Sequence, residues 1–270
     1  MKKLGLFAML FVAVTIGFTG CEKGGDDGED EEELEVETGA EITTPGGKSC
    51  LLTKTEEEGD SFYTLYEYDS QKRVVKIKHY DDNVLEETNT ITYSNSQINV
   101  TGGEPITYTV VNGIVTGGIV PGDNSVTTFL YEHNSAGYLT KRTEITSHNG
   151  TSQTSTRVIT YTYTDGNMAT RQEESGDYSS TATYEYDLSI VNTLLLDEIF
   201  INKPNKNALK KRTETRSYQG IVDGTTVDTY THVLNSDKLI TKSTKVEVDT
   251  QSGQSAQTST YVENHQYTCN

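Results

Sequence analysis

Five histidines, forty acidic residues and seventeen tyrosines supply most of the side chains in this 270-residue chain that could hold or act on a ligand. The histidines (His79, His133, His148, His232 and His265) are scattered, with no His-x-x-x-His or Cys-His spacing to bring two metal ligands to one side. Gly253-Gln254-Ser255-Ala256 lacks the second glycine of a nucleophile elbow. No P-loop and no dinucleotide-binding glycine fingerprint occurs. The motifs therefore nominate no catalytic residue, no metal site and no cofactor. A glycoside hydrolase needs only two carboxylates about 5–10 Å apart in one cleft. Forty acids always offer a pair, so a carboxylate-pair glycan hydrolase stays an outside reading. Tyrosine is more selective. Ile159, Tyr161 and Tyr163 alternate with Val158, Thr160, Thr162 and Thr164, while Ala182, Tyr184 and Tyr186 alternate with Thr181, Thr183, Glu185 and Asp187. A row made of Tyr161, Tyr163, Tyr184 and Tyr186 can stack on a glycan or line a cleft. The same row can simply pair across strands in a thin core. The absence of tryptophan counts mildly against a sugar platform.

The elements that must position these residues are strands. Residues 66–80 read as strand, polar turn and strand, and looser copies recur: Tyr66-Glu67-Tyr68-Asp69, Ile91-Thr92-Tyr93-Ser94, Tyr131-Glu132-His133-Asn134, Tyr161-Thr162-Tyr163-Thr164 and Tyr184-Glu185-Tyr186-Asp187. Runs rich in Thr, Tyr, Val and Ile give candidate strands from residue 51 to residue 268. Asn112-Gly113 and Asp165-Gly166 tolerate the positive φ of tight hairpins. Links this short force neighbouring strands to be antiparallel, because a parallel crossover takes a dozen residues or more. The expected fold is all-β, an antiparallel meander of about 12–16 strands forming a barrel or a strongly curved sheet. One face of each strand is aromatic and the other is mostly Thr and charge, which fits a sheet wetted on one side. It does not fit a transmembrane barrel, whose outer face needs an apolar band about 25 Å tall. Residues 188–200, with Leu194-Leu195-Leu196 and Ile199-Phe200, interrupt the meander. They read as an irregular or short helical plug, or as an extra buried strand.

The N-terminus supplies an address. Lys2 and Lys3, an apolar run from Leu4 to Phe18 and a small residue before Cys21 make a secretory signal over residues 1–20. Phe18-Thr19-Gly20-Cys21 resembles a bacterial lipobox, in which Cys21 is acylated and becomes the mature N-terminus. Residues 21–48 then form a lipidated, acidic tether, with ten acids between Glu22 and Glu37 against Lys23 alone. Residues 49–270 form a single β domain. Loss of Lys2 and Lys3 takes the net charge from −18 to −20, and the −9 of the tether leaves −11 for the rest. Nucleic acid is thereby excluded as a partner. The basic group Lys203, Lys206, Lys210, Lys211, Arg212 and Arg216 reads as a solvated loop running into a strand. With Cys21 acylated, Cys50 and Cys269 remain, either as a disulfide tying first strand to last or as two unrelated thiols.

Tyr66-Glu67-Tyr68-Asp69 with Arg73-Val74 resembles the unit of YD/Rhs-type repeats and, more closely, the DUF4595 family of Bacteroidetes lipoproteins. Asn205-Lys206-Asn207-Ala208-Leu209-Lys210-Lys211 belongs to the same resemblance, which spans residues 50–269. It implies a porin-like meander and carries no catalytic residues. Acids directly after Cys21 resemble the surface-export signal of such lipoproteins. The expected protein is an outer-membrane or surface-tethered lipoprotein that contacts the membrane through its N-terminal lipid and has a non-enzymatic binding or interaction role. A glycan is one ligand class it would take. An apolar ligand sheltered in the curved sheet, as in an envelope carrier, is the alternative.

Overall fold

In the computed structural model the described residues are 41–44, 47–194 and 199–270. The expected signal peptide, Cys21 and most of the expected acidic tether lie outside them. Every regular element among the described residues is a strand. In chain order these are β1 (Ile42–Thr43), β2 (Ser49–Glu57), β3 (Tyr63–Tyr68), β4 (Val74–Asp81), β5 (Val84–Tyr93) and β6 (Gln97–Thr101). Next come β7 (Ile106–Val111), β8 (Ile114–Pro121), β9 (Ser125–His133), β10 (Leu139–His148), β11 (Thr154–Thr164) and β12 (Asn167–Ser175). The last five are β13 (Tyr178–Val191), β14 (Asn207–Tyr218), β15 (Ile221–Leu234), β16 (Ile240–Gln251) and β17 (Gln257–Cys269). From β2 onward each strand pairs antiparallel with the next, and β17 returns to pair with β2. The meander is a closed 16-strand barrel, with β1 added to the edge of β2.

Turn chemistry fixes the strand order locally. Asn112-Gly113 and Asp165-Gly166 have positive φ at both residues, as two-residue hairpins require. A second turn type recurs three times at the same barrel end. Asp69 Oδ1 accepts from the N–H groups of Gln71 and Arg73, Asn134 Oδ1 from Ala136 and Tyr138, and Asn235 Oδ1 from Asp237 and Leu239. The residue three places on (Lys72, Gly137 or Lys238) takes positive φ in each copy. The repeat visible in the sequence is thus a side-chain-capped turn as much as a paired tyrosine.

That barrel end holds a plug. Ile199 and Ile201, 6% and 4% exposed, pack into a cluster that includes Val74, Ile98, Val115, Leu139 and Ile159. The Phe200 ring lies 6.0 Å from Tyr93 and 5.9 Å from Tyr108. Side chains satisfy the irregular backbone here, as burial demands. His133 Nε2 bonds Ile201 O, Asn202 Oδ1 accepts from Leu139 N–H, and Asn205 Oδ1 accepts from Met168 N–H. The expected plug is therefore present, but among the described residues it is neither a helix nor an extra strand. Strand β13 runs through to Val191 and leaves Leu188 exposed. Residues 195–198, including Leu195 and Leu196, lie outside the described residues. Ile201→Ala should lower unfolding free energy by about 2–5 kcal/mol, read from the denaturant midpoint with an unchanged slope.

Closure places Cys50 directly opposite Cys269, with Cα atoms 4.1 Å apart and sulfurs 2.02 Å apart, at bonding distance. A bond there would close a loop across 219 positions. Such a loop constrains the unfolded chain by up to about 5 kcal/mol in the chain-entropy description. Peptide mapping without reductant should recover the Cys50–Cys269 pair, and reduction should lower the unfolding midpoint. Recovery of both thiols free would sink the assignment.

Candidate functional site: the barrel lumen

Residues directly opposite on neighbouring strands share a face, so the register together with the plugged-end core identifies the inner wall. From β4 to β9 that wall is largely apolar, with Ile77, Ile91, Val100, Tyr108 and Phe129. From β10 to β16 it is charged. Glu144, Arg157, Glu173, Arg171, Glu214, Arg212 and Asp228 form an unbroken chain of alternating sign. Arg157 Nε lies 2.6 Å from Glu173, and Arg212 Nη1 lies 3.0 Å from Asp228, which is only 2% exposed. Nearer the other end, Arg216 pairs with Asp249 at 2.6 Å and Lys245 with Glu247 at 3.0 Å. Burial by itself would raise the Glu173 carboxyl, but hydrogen bonds from Arg157 and Arg171 outweigh it and hold the group below the usual carboxylate range. The bond to Glu173 in turn raises the Arg157 guanidinium further.

The basic group of residues 203–216 therefore divides. Lys211 faces outward to Glu185, whereas Arg212 and Arg216 face the lumen. A solvated strand face is the wrong description for those two arginines. The signal was an opposite charge two residues away, as in Arg142/Glu144, Arg171/Glu173 and Arg212/Glu214, because period two keeps both side chains on one face. Charge inside a barrel is costly unless paired, and pairing is what the neighbouring strands supply.

All four tyrosines singled out above lie on the inner wall. Tyr161 is packed in the plugged-end core, and the Tyr163 hydroxyl accepts from Asn202 Nδ2 of the plug. Tyr184 sits over the charged belt beside Arg212, with its hydroxyl pushed up mainly by burial. Tyr186 lies close to Tyr184 and Tyr163 and shifts the same way. Away from the plug, a cavity of about 340 Å³ opens beside the turn that joins β2 to β3. Its rings are Phe62, Tyr230 and Tyr261, and its ionisable groups include Glu57, Lys245 and Glu263. Sequence reasoning placed these residues on strands or in turns but did not associate them, because β2, β3, β15, β16 and β17 meet only when the barrel closes.

The floor of this cavity contains a hydrogen-bond chain. His232 Nε2 lies 2.8 Å from the Leu209 carbonyl, which can only accept, so that nitrogen carries the proton. His232 Nδ1 then accepts from Ser243 Oγ, and Ser243 Oγ accepts from His265 Nε2, each at 3.1 Å. His265 is 4% exposed, and burial, reinforced by His232, lowers its pKa to about 4. Its folded value lies below its unfolded value, so it contributes stability fully above about pH 6.5. That contribution is lost as pH falls towards 4. His265→Gln should flatten the fall in unfolding midpoint between pH 6.5 and 4, as measured by urea titration at stepped pH. An unchanged slope would refute the assignment. Among the described residues no group of three His, Cys, Asp or Glu side chains forms a metal site.

No family model matches the chain, and no curated protein matches it. Solved structures do. The crystal structure of a porin-like protein from Bacteroides uniformis superposes with a TM-score of 0.55 at 20% identity, covering 80% of this chain and 96% of that one. A porin-like protein from Bacteroides vulgatus gives a TM-score of 0.56 at 10% identity, with 80% and 98% covered. At these identities the likeness is one of fold: this chain has a porin-like β-barrel.

Proposed function

We propose that this chain is a non-enzymatic envelope protein, held at the membrane by an acylated Cys21, whose barrel serves binding or interaction. The observation that carries this reading is the outer wall. Thr162, Thr170, Thr183, Thr213, Val227, Val248 and Thr258 lie opposite one another in register around seven successive strands. Ion pairs stud the same surface: Lys78 with Glu67, Lys54 with Glu56 and Lys141 with Glu132. A lysine at the bilayer midplane costs about 2–4 kcal/mol on such a wall, so a lipid tether suits this protein better than an inserted barrel. The acidic stretch after Cys21 supports an outer-membrane or cell-surface location. The Tyr66–Val74 motif, together with the porin-like fold, supports the DUF4595-type lipoprotein reading. A second reading, an envelope carrier for an apolar ligand, is favoured by a cavity of about 740 Å³ at the plugged end, lined in part by Ile42, Ile190, Val191, Leu234 and Leu239.

Expression of the full chain and of Cys21→Ala in a Gram-negative host tests the anchor. The parent should fractionate with membranes and take up labelled palmitate. Cys21→Ala should take up none and move to the soluble fraction. A Cys21→Ala protein that has lost residues 1–20 yet stays with membranes after a carbonate wash would show that the barrel wall itself holds the bilayer.

A further inference from the structure

We infer that the cavity between β2, β3, β15, β16 and β17 is a binding site for a neutral sugar or short neutral oligosaccharide. This deepens the binding role proposed above and rests on it. Glu57 and Glu263 are direct cross-strand partners and both line the cavity. Their carboxylate oxygens can accept from the hydroxyl donors of a ligand.

Three further features fix the ligand class. The Lys245 ammonium lies 4.2 Å from the Tyr261 ring centre and is bound to Glu247. A cation therefore already occupies that ring face, which disfavours a cationic ligand. The carboxylates and the acidic chain disfavour an anion. The Glu57 and Glu263 carboxylates in the lining would lose water without gaining a donor if an apolar ligand entered. Phe62, Tyr230 and Tyr261 each have one face against His79, His232 or Lys245, which leaves the opposite face of each ring to cover the C–H face of a sugar. A volume of about 340 Å³ lies within the range of small-molecule sites. Carboxylates that accept, hydroxyls that do both and rings that stack match a neutral polyhydroxylated ring. The site lies away from the plugged end, where the described chain enters at Glu41 beside Lys72.

Calorimetric titration of the mature, detergent-solubilised chain tests this assignment with three probes: a neutral oligosaccharide, an amino-sugar oligomer and a uronic-acid oligomer. A neutral polysaccharide pull-down separates free sugar from the end of a longer glycan. The neutral probe should bind saturably. Tyr261→Ala and Glu57→Gln should each weaken it about tenfold or more, the loss expected for a stacking partner or a charged acceptor. Tyr80→Ala, on the outer wall, should leave it unchanged, and all three variants should keep the parent's unfolding midpoint to within a few degrees. Absence of neutral-sugar binding, or equal binding by parent and both cavity variants, overturns the site. Binding of a charged probe alone overturns the ligand class while leaving the binding role intact. Recovery of cleaved sugar, abolished in Glu57→Gln, would instead overturn the non-enzymatic reading and keep the ligand class.

Discussion

The pairing of β17 with β2 is the contact on which the rest of this structure depends. Hairpin turns alone would generate an open meander with a free strand at each side, and free edges invite pairing with other chains. Register from Glu263 opposite Glu57 down to Cys269 opposite Cys50 joins those edges. Once they are joined, the number of strands sets the diameter, and every alternating side chain faces either the lumen or the outside.

A 16-strand barrel is too wide for side chains from its own wall to meet in the middle. The chain deals with that space differently along the axis. At the plugged end, the segment around Ile199–Asn202 enters the lumen and supplies the apolar atoms that the wall lacks. In the middle, long arginines extend along the β10–β16 wall and alternate with carboxylates, so each charge gains an opposite neighbour on its own strand or on one nearby. Towards the other end, rings and acids line a cavity above the Ser243 hydroxyl. Apolar plug, paired charge and open cavity thus succeed one another along the barrel axis.

Much of the fold was legible in the sequence, and the reason is local. The candidate strands between residues 51 and 268 correspond to β2–β17, because period-two alternation and turn residues such as Asn112-Gly113 act within a few positions. That Tyr161 and Tyr163 share a face followed from the same alternation. The Arg/Glu alternation on β12 and β14 was equally visible, yet charge on a strand reads as solvent-facing until the other side of the wall is known. The floor of the cavity was not legible at all. His232, Ser243 and His265 come from three strands, and neither their spacing nor their residue types resemble a motif.

The sequence by itself determined that the chain is all-β, that its strands are antiparallel neighbours, which residues make the turns and which alternate positions share a face. The expectation of an N-terminal address likewise rests on contiguous residues alone. Only the tertiary structure decided that the sheet closes, that residues 199–202 fill one end, that the charged face of β10–β16 is the inner one, and that Glu57, Tyr230, Lys245 and Tyr261 surround one cavity. Those outcomes depend on strands more than 150 residues apart coming together, and no local pattern in a polypeptide specifies which distant edge it will meet.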